Sequence, residues 1–376
     1  MHFVLGRPAL RTVAWNVLRR LPRTEAWLRR AYARDASGVT DGQEQFTYGV
    51  TDPSPLRRFP YAMRPAAHSA DFSRGDRLIV LGAGWLSDSF QGALADLRRA
   101  VGLHVYQVLY DLAPIALPHS FGPGFAESFT RYLFEAAALS DGLIAISASS
   151  RSEALAFCES VLLPPPTIEV FRLGDEGAPA DEPAMPVAEL ENTTFVLSVG
   201  TFELRKNYHL LYQVWRLGAE RPSAKLPQLV IVGRKGWAAN DTMLAMAGDP
   251  MVKGSITVLH GVSDGELEWL YENCLFTIYP SMYEGWGLPI AESLSRGKLC
   301  LASNASAMPE VAGDLIEYFS PYDARECFNA VVRHLEPSIR DAKEREIAQR
   351  YVPTSWQESF RQFDAALRRI EGQLAP

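Results

Sequence analysis

Glu284 and Glu292 flank seven residues in Ser281–Ser293 (SMYEGWGLPIAES), so two carboxylates bracket a glycine-rich run. Gly285 and Gly287 let backbone approach a ligand closely, and Pro289, with its φ preset and no N–H, fits the first turn of a helix running on through Ala291 and Leu294. The turn Gly285, Trp286, Gly287 and Leu288 would then carry free helix N–H groups toward a phosphate or sugar oxygen. A carboxylate only accepts hydrogen bonds, which suits Glu284 and Glu292 to vicinal hydroxyls. Together these features fit an anionic, hydroxyl-rich ligand such as a nucleotide sugar. The same residues also fit a surface turn before an amphipathic helix with two solvated glutamates.

A second segment, Phe195–Asn207 (FVLSVGTFELRKN), is an apolar strand, a turn at Gly200 and Thr201, adjacent cations and then a helical stretch over Leu210–Leu217. Strand, glycine turn and helix is the arrangement that places phosphate at a sheet's carboxyl edge. Arg205 offers a planar fork and Lys206 a mobile point charge, a pair able to hold a diphosphate and stabilise it as it departs. Taken singly, both are also ordinary solvated charges at a helix start. Leu229–Trp237 (LVIVGRKGW) repeats the strand-to-glycine pattern at Gly233, with Lys235 just beyond it.

Residues 195–320 resemble the donor-binding domain of retaining GT-B glycosyltransferases of sequence family 4 (group 1), above all O-antigen and exopolysaccharide mannosyl- and rhamnosyltransferases. The similarity lies in the two glutamates with seven residues between them, the Arg205-Lys206-Asn207 turn, Thr257–Leu267 (TVLHGVSDGEL), which resembles the segment where the base is read, and Ala307–Gly313 (AMPEVAG). It implies that Glu284 contacts the transferred sugar, Glu292 the ribose hydroxyls, and Arg205 and Lys206 the diphosphate. Gly200, Thr201, Asn207, Gly233, Lys235, Val262 and Gly285–Leu288 would complete the donor site. The implied fold is α/β: two doubly wound Rossmann-like domains facing across a cleft, with a C-terminal helix crossing back to the first.

Composition agrees with such a chain. Its 376 residues, 47% hydrophobic and 22% charged, suffice for two soluble domains. No apolar run approaches the roughly 20 residues of a membrane span, and no signal sequence is recognised, so a cytoplasmic location is expected. Cys158, Cys274, Cys300 and Cys327 are widely spaced without a Cys-x-x-Cys, which predicts buried free thiols and neither zinc nor a disulfide framework. A formal charge of −7 argues against general nucleic-acid binding.

Sequence pattern assigns 1–177 to an N-terminal acceptor-side domain, 178–193 to a linker rich in proline, 194–350 to the donor domain and 351–376 to the crossover helix. Regular α/β alternation begins at Asp76–Trp85, where a buried-type strand runs into Gly82 and Gly84. A helix near Gln91–Ala100, a strand at Leu103–Leu109, a helix over Phe125–Leu139, a strand at Gly142–Ile146, a helix capped within Ser147–Ser150 and a strand over Thr167–Leu173 follow. Over the last stretch, Trp356, Phe360, Phe363, Ala366, Leu367 and Ile370 form a helical apolar stripe.

The first half matches the family less closely. Val108–Pro118 (VLYDLAPIALP) resembles its crevice segment, where many members carry His-Asp; here Tyr110 replaces the histidine, which puts that sugar contact in doubt, although a tyrosine hydroxyl can also donate. Asp111 suits either a turn cap or a substrate contact, His119 reads as a bystander, and Gly82 and Gly84 suit either a sugar-facing backbone or a tight strand-to-helix turn.

The expected activity is transfer of a hexose, mannose first, from a nucleoside diphosphate sugar to a glycan or polyprenyl-linked sugar, with retention and with neither metal nor cofactor. A sugar-nucleotide epimerase and a non-catalytic nucleotide-sugar binder are the rivals; a phosphorylase lacks supporting context. One feature stands apart: Met1–Arg34 holds eight arginines against Glu25 alone, interspersed with Trp15, Leu18, Trp27 and Leu28. Such a helix suits either an anionic membrane surface, with the protein peripheral on its inner face, or a cover over the first domain. If residues 7–34 bind the membrane, each arginine contributes roughly 1 kcal/mol at low salt, screened as salt rises. Cosedimentation should then favour anionic over neutral vesicles, fade with salt, and weaken when Arg19, Arg20, Arg29 and Arg30 become Gln.

Overall fold

The computed structural model describes residues 2–6, 9–12, 72–82, 84–86, 90–176, 183–221, 225–236 and 240–374. Its first sheet contains β1 (His2–Gly6), β2 (Ala9–Thr12), β3 (Arg77–Val80), β4 (His104–Leu109), β5 (Gly142–Ala145) and β6 (Ile168–Val170), in the order β2-β1-β3-β4-β5-β6. From β3 to β6 every pairing is parallel, while β1 runs antiparallel to β2 and β3. The connections carry α1 (Phe90–Val101), α2 (Ala113–Ala116), α3 (Phe125–Leu139) and α4 (Ala148–Ser160). Ser147 caps α4 by accepting from the Ser150 amide, as its position before the helix predicts.

The second sheet comprises β7 (Phe195–Val199), β8 (Gln228–Val232), β9 (Ile256–Leu259), β10 (Thr277–Tyr279), β11 (Cys300–Ser303) and β12 (Tyr318–Phe319), ordered β12-β11-β10-β7-β8-β9 and parallel throughout. Between these strands lie α5 (Tyr208–Ala219), α6 (Asn240–Gly248), α7 (Asp264–Asn273), α8 (Leu288–Ser295) and α9 (Met308–Ala312), followed by α10 (Ala324–His334), α11 (Pro337–Arg350) and α12 (Trp356–Leu374). Counted from β7, the order is that of the dinucleotide-binding fold, with the chain reversing direction of growth between β7 and β10. At such a switch point the loops leaving the two central strands diverge and open a crevice. Strands buried on both faces explain why β7 and β8 read as continuous apolar runs: Phe195, Val196, Leu197, Leu229, Val230 and Ile231 are all fully buried.

Helix α12 lies on the first sheet. Ile370 packs where a side chain at Gly142 would stand, Phe171 and Phe363 meet edge-on at 5.3 Å, and Arg77 and Arg369 pair with Glu371 and Glu169 at 2.7 Å. Of the expected stripe, Phe363, Ala366, Leu367 and Ile370 are buried. Trp356 and Phe360 depart from it, being more than half exposed, although the Trp356 ring lies where a side chain at Gly174 would stand.

The sequence pattern differs from the structure in two further places. The strand expected over Thr167–Leu173 is regular only at Ile168–Val170, since the chain then turns toward the second sheet. A helix was expected in the arginine-rich start, yet His2–Gly6 and Ala9–Thr12 are strands: short runs paired in antiparallel register at the edge beside β3. The rest of residues 7–34 lies outside the described residues. The four cysteines are buried and unpaired. Among the described residues no helix is long and apolar enough to cross a membrane.

Beyond the sheet, the loops after β7 and β8 stay joined: Gly200 donates to the Val232 carbonyl at 2.9 Å and Phe202 to that of Arg234 at 2.7 Å. A Cβ at Gly233 would overlap the Gly200 carbonyl oxygen, a backbone atom that cannot rotate away. Gly233→Ala should therefore cost about 2 kcal/mol or more, read as a lower melting temperature, and should displace the Gly200–Lys206 loop.

Candidate functional site

The crevice between β7 and β10 holds a compact charged group. Leaving β7, the chain makes a 3-10 turn at Leu204–Lys206, closed by Asn207 in the left-handed region at φ 60°. Leaving β10, it runs through Ser281 and Tyr283 to Glu284. The two loops meet: the Met282 amide donates to the Arg205 carbonyl at 2.8 Å, and the Asn207 amide group bridges the carbonyls of Pro280 and Pro321 at 3.1 and 2.8 Å.

Glu284 lies between the two cations. Lys206 Nζ donates to its Oε1 at 2.7 Å and Arg205 Nη1 to its Oε2 at 2.8 Å. Burial by itself raises the Glu284 carboxyl pKa, but Lys206 and then Arg205 outweigh it and hold it down at about 2. The Arg205 pKa moves the other way, upward: burial opposes its charge, and Glu284 and Glu203 more than compensate. Lys206 also donates to the Tyr279 hydroxyl at 2.7 Å, and Arg205 to Glu203 at 3.1 Å. The Glu284 backbone is fixed separately, its amide donating to Ser306 Oγ at 2.8 Å and its carbonyl accepting from that hydroxyl at 2.9 Å.

Helix α8 begins four residues later. Gly287, at φ 127°, is its N-cap, and the Gly287 and Leu288 amides donate to no group among the described residues. Glu292 stands on this helix, half-buried, and accepts from the Tyr271 hydroxyl at 2.7 Å on Oε2. Its other oxygen has no partner among the described residues.

With that geometry in hand, comparison with known proteins is decisive for the second sheet. Residues 183–350 match the family model of the glycosyl transferases group 1. This segment is a group 1 glycosyl transferase domain. The chain is similar to O-antigen chain mannosyltransferase B of Escherichia coli, 34% identical over 166 residues, which is 44% of this chain and 42% of that protein. Serotype-specific mannosyltransferase WbdA of Escherichia coli is 27% identical over 242 residues, 60% of this chain and 29% of that protein. The chain thus spans less than half the length of these curated relatives. Among solved structures, a trehalose-phosphate synthase from Burkholderia xenovorans superposes with a TM-score of 0.62 at 15% identity, covering 78% of this chain and 73% of that one, which shows a shared GT-B fold.

The remaining expected residues of the group 1 domain divide by what they touch. Gly285 is required by packing, because a Cβ there would overlap the Tyr110 carbonyl oxygen from the first sheet. Thr201 is half-buried, Lys235 and Leu288 are exposed, and Val262 is half-buried against the apolar cluster around β9 and α7. Asn207, expected to face ligand, uses its amide donors on Pro280 and Pro321 because its left-handed backbone turns the side chain inward.

On the first sheet, Tyr110 donates its hydroxyl to the Leu81 carbonyl at 2.6 Å, so that proton is engaged within the fold. Asp111 accepts from the Ala113 amide at 3.0 Å, a turn cap, and burial raises its carboxyl pKa. Gly82, at φ 130°, lies against the Tyr110 ring, whereas Gly84 is enclosed by Phe90 and Tyr132, which a Cβ would strike. Gly84 is therefore a packing glycine. His119 is exposed in a 3-10 turn.

Sequence reasoning missed the groups that join the two sheets here. Tyr283 donates to Glu153 of α4 and accepts from the Leu112 amide at 3.1 Å. Glu310 accepts from the Ala148 and Ser149 amides at 2.8 and 2.7 Å, setting its charge on the positive end of α4. Both lie beside recognised segments, but their partners are more than a hundred residues away in sequence.

Glu284→Ala should leave two buried cations facing one another and destabilise the fold by about 3–5 kcal/mol, with Glu284→Gln losing less because it keeps an acceptor oxygen. A carboxylate whose folded pKa is depressed contributes stability above its unfolded pKa of about 4.5 and loses it as pH falls toward about 2. Urea unfolding should accordingly show a constant gap between wild type and Glu284→Gln from pH 7 to about 5 that shrinks at lower pH.

Proposed function

We propose that this protein is a retaining glycosyltransferase that moves a hexose from a nucleoside diphosphate sugar onto a glycan or lipid-linked sugar acceptor, with GDP-mannose as donor. The observation that carries the reading is the Arg205–Glu284–Lys206 group at the switch point of the group 1 domain. The mannosyltransferase names of the relatives support the choice of sugar.

Transfer from such a donor needs a stabilised leaving diphosphate and a sugar held while its anomeric bond breaks. Arg205 and Lys206 supply two cations, and Glu284 and Glu203 supply the carboxylates that keep them aimed, so a diphosphate would meet charged donors already fixed in place. The free amides at the start of α8 add hydrogen-bond donors for the same anion. These groups meet the electrostatic demand without a metal, which favours metal-independent transfer. The free oxygen of Glu292 suits a ribose hydroxyl, with Tyr271 holding the carboxylate in place. Retention with no separate protein base follows if the departing diphosphate oxygen takes the acceptor proton on the same face. The arginine-rich start is the proposed membrane contact, where a lipid-linked acceptor would be met.

Incubation with radiolabelled GDP-mannose, and with UDP- and dTDP-sugars beside it, tests this reading. Label should move to a glycan acceptor at a rate unchanged by excess EDTA, and Glu284→Gln should lower turnover about 100-fold. Lys206→Ala should weaken GDP binding far more than guanosine binding. Isomerised donor without transfer would favour the epimerase, binding without turnover the scaffold, and magnesium rescue after EDTA would overturn the metal-free account.

A further inference from the structure

The donor turn is anchored from an unexpected direction. Trp286, buried at 6% exposure, is the one large side chain between Gly285 and Gly287, and glycines on either side leave the turn little rigidity of its own. The guanidinium of Arg172 lies over its ring, with Cζ 5.2 Å from the centroid. Arg172 belongs to the chain leaving β6 in the first sheet, and its backbone amide donates to Gln362 of α12 at 3.1 Å.

Arg172 is itself held. Its Nη2 donates to Asp175 at 2.8 Å and to the Tyr351 hydroxyl at 3.3 Å, and that hydroxyl donates to the same Asp175 oxygen at 2.8 Å. The Asp175 side chain is fully buried and also accepts from the Thr354 amide, while its own amide donates to the Thr354 carbonyl at 2.9 Å. Among the described residues, 171–176 and 351–356 lie where the chain passes between the sheets, so Asp175 ties these segments together and Arg172 extends from that tie to the donor turn. Arg172 Nε and Trp286 Nε1 are both buried without a hydrogen-bond partner among the described residues, so cation–π attraction holds the contact, and a guanidinium, with its charge spread over several nitrogens, reaches Asp175 and the ring together as a single ammonium nitrogen does not.

We propose that Arg172 is a positioning residue for the donor turn, coupling the crossings between the two sheets to Glu284–Leu288 through the face of Trp286. The proposal rests on the reading of this turn as the nucleotide-sugar site. Arg172→Lys keeps the charge, and with it the attraction to Asp175, but removes the guanidinium that reaches over the Trp286 ring at the same time. It should speed amide hydrogen exchange at Glu284 and Ile290, whose amides donate to Ser306 Oγ at 2.8 Å and to the Gly287 carbonyl at 3.0 Å, about tenfold while leaving β7 as protected as in wild type, and should raise the Kd for GDP-mannose about tenfold, measured by calorimetry. In a Trp286→Phe background the same change should have a smaller effect, because the wider ring it acts through is already gone. Unchanged exchange at Glu284 and Ile290, or an equal effect of Arg172→Lys with Trp and with Phe at 286, overturns the proposal. Exchange needs no ligand, so a wild-type protein that binds no GDP-mannose would defeat the donor reading while the exchange result still decides the role of Arg172.

Discussion

The carboxylate of Glu284, held between Arg205 and Lys206 in a crevice closed to most water, is the interaction on which the site depends. Each of these charges is costly to bury by itself: Glu284 makes both cations tolerable, and they in turn keep its carboxylate ionised. Mutual dependence gives the group its geometry: two cations 2.7 and 2.8 Å from one carboxylate have little freedom to reorient when an anionic ligand arrives. In the proposed transfer, a transition state that gains negative charge on a leaving oxygen would meet charges already in position, which is where preorganised electrostatics act most strongly. The fold exists in the form it does because only the switch point of a parallel sheet brings the loop after β7 and the loop after β10 face to face.

Much of this was legible in the sequence, and for identifiable reasons. Buried parallel strands leave continuous apolar runs, and glycines at their ends mark the turns, so β7, β8 and the helices after them stand close to where their residues predict. The spacing of Glu284 and Glu292 reflects one turn followed by one helix, a local constraint that a sequence records directly. What the sequence did not disclose is tertiary. Asn207 reads as a polar residue beside two cations, yet its amide serves two distant carbonyls. Gly84 resembles Gly82 in the sequence, but one is enclosed by aromatic rings and the other faces Tyr110 at positive φ. Tyr110 has a hydroxyl free to serve a ligand until the Leu81 carbonyl is seen 2.6 Å away. The edge strands at His2–Gly6 and Ala9–Thr12 are too short to carry a strand period, and arginines nearby obscure them.

The two sheets meet through groups adjacent to the reactive ones. Tyr283 precedes Glu284 and reaches Glu153 and the Leu112 amide; Gly285 follows it and lies on the Tyr110 carbonyl; Glu310 sits on the start of α4. Contacts of this kind cannot persist if the cleft opens, since each has one partner in either sheet. Opening would therefore release the residues on both sides of Glu284 at once, while the ion group itself, made wholly within the second sheet's loops, would stay formed. The electrostatic centre is thus built into one domain and its immediate surroundings are shared between two. Under the proposed donor reading, that division would let a nucleotide sugar bind against fixed charges first, with the far wall of the site, Tyr110 and Asp111, meeting the turn at Gly285 only in a closed cleft.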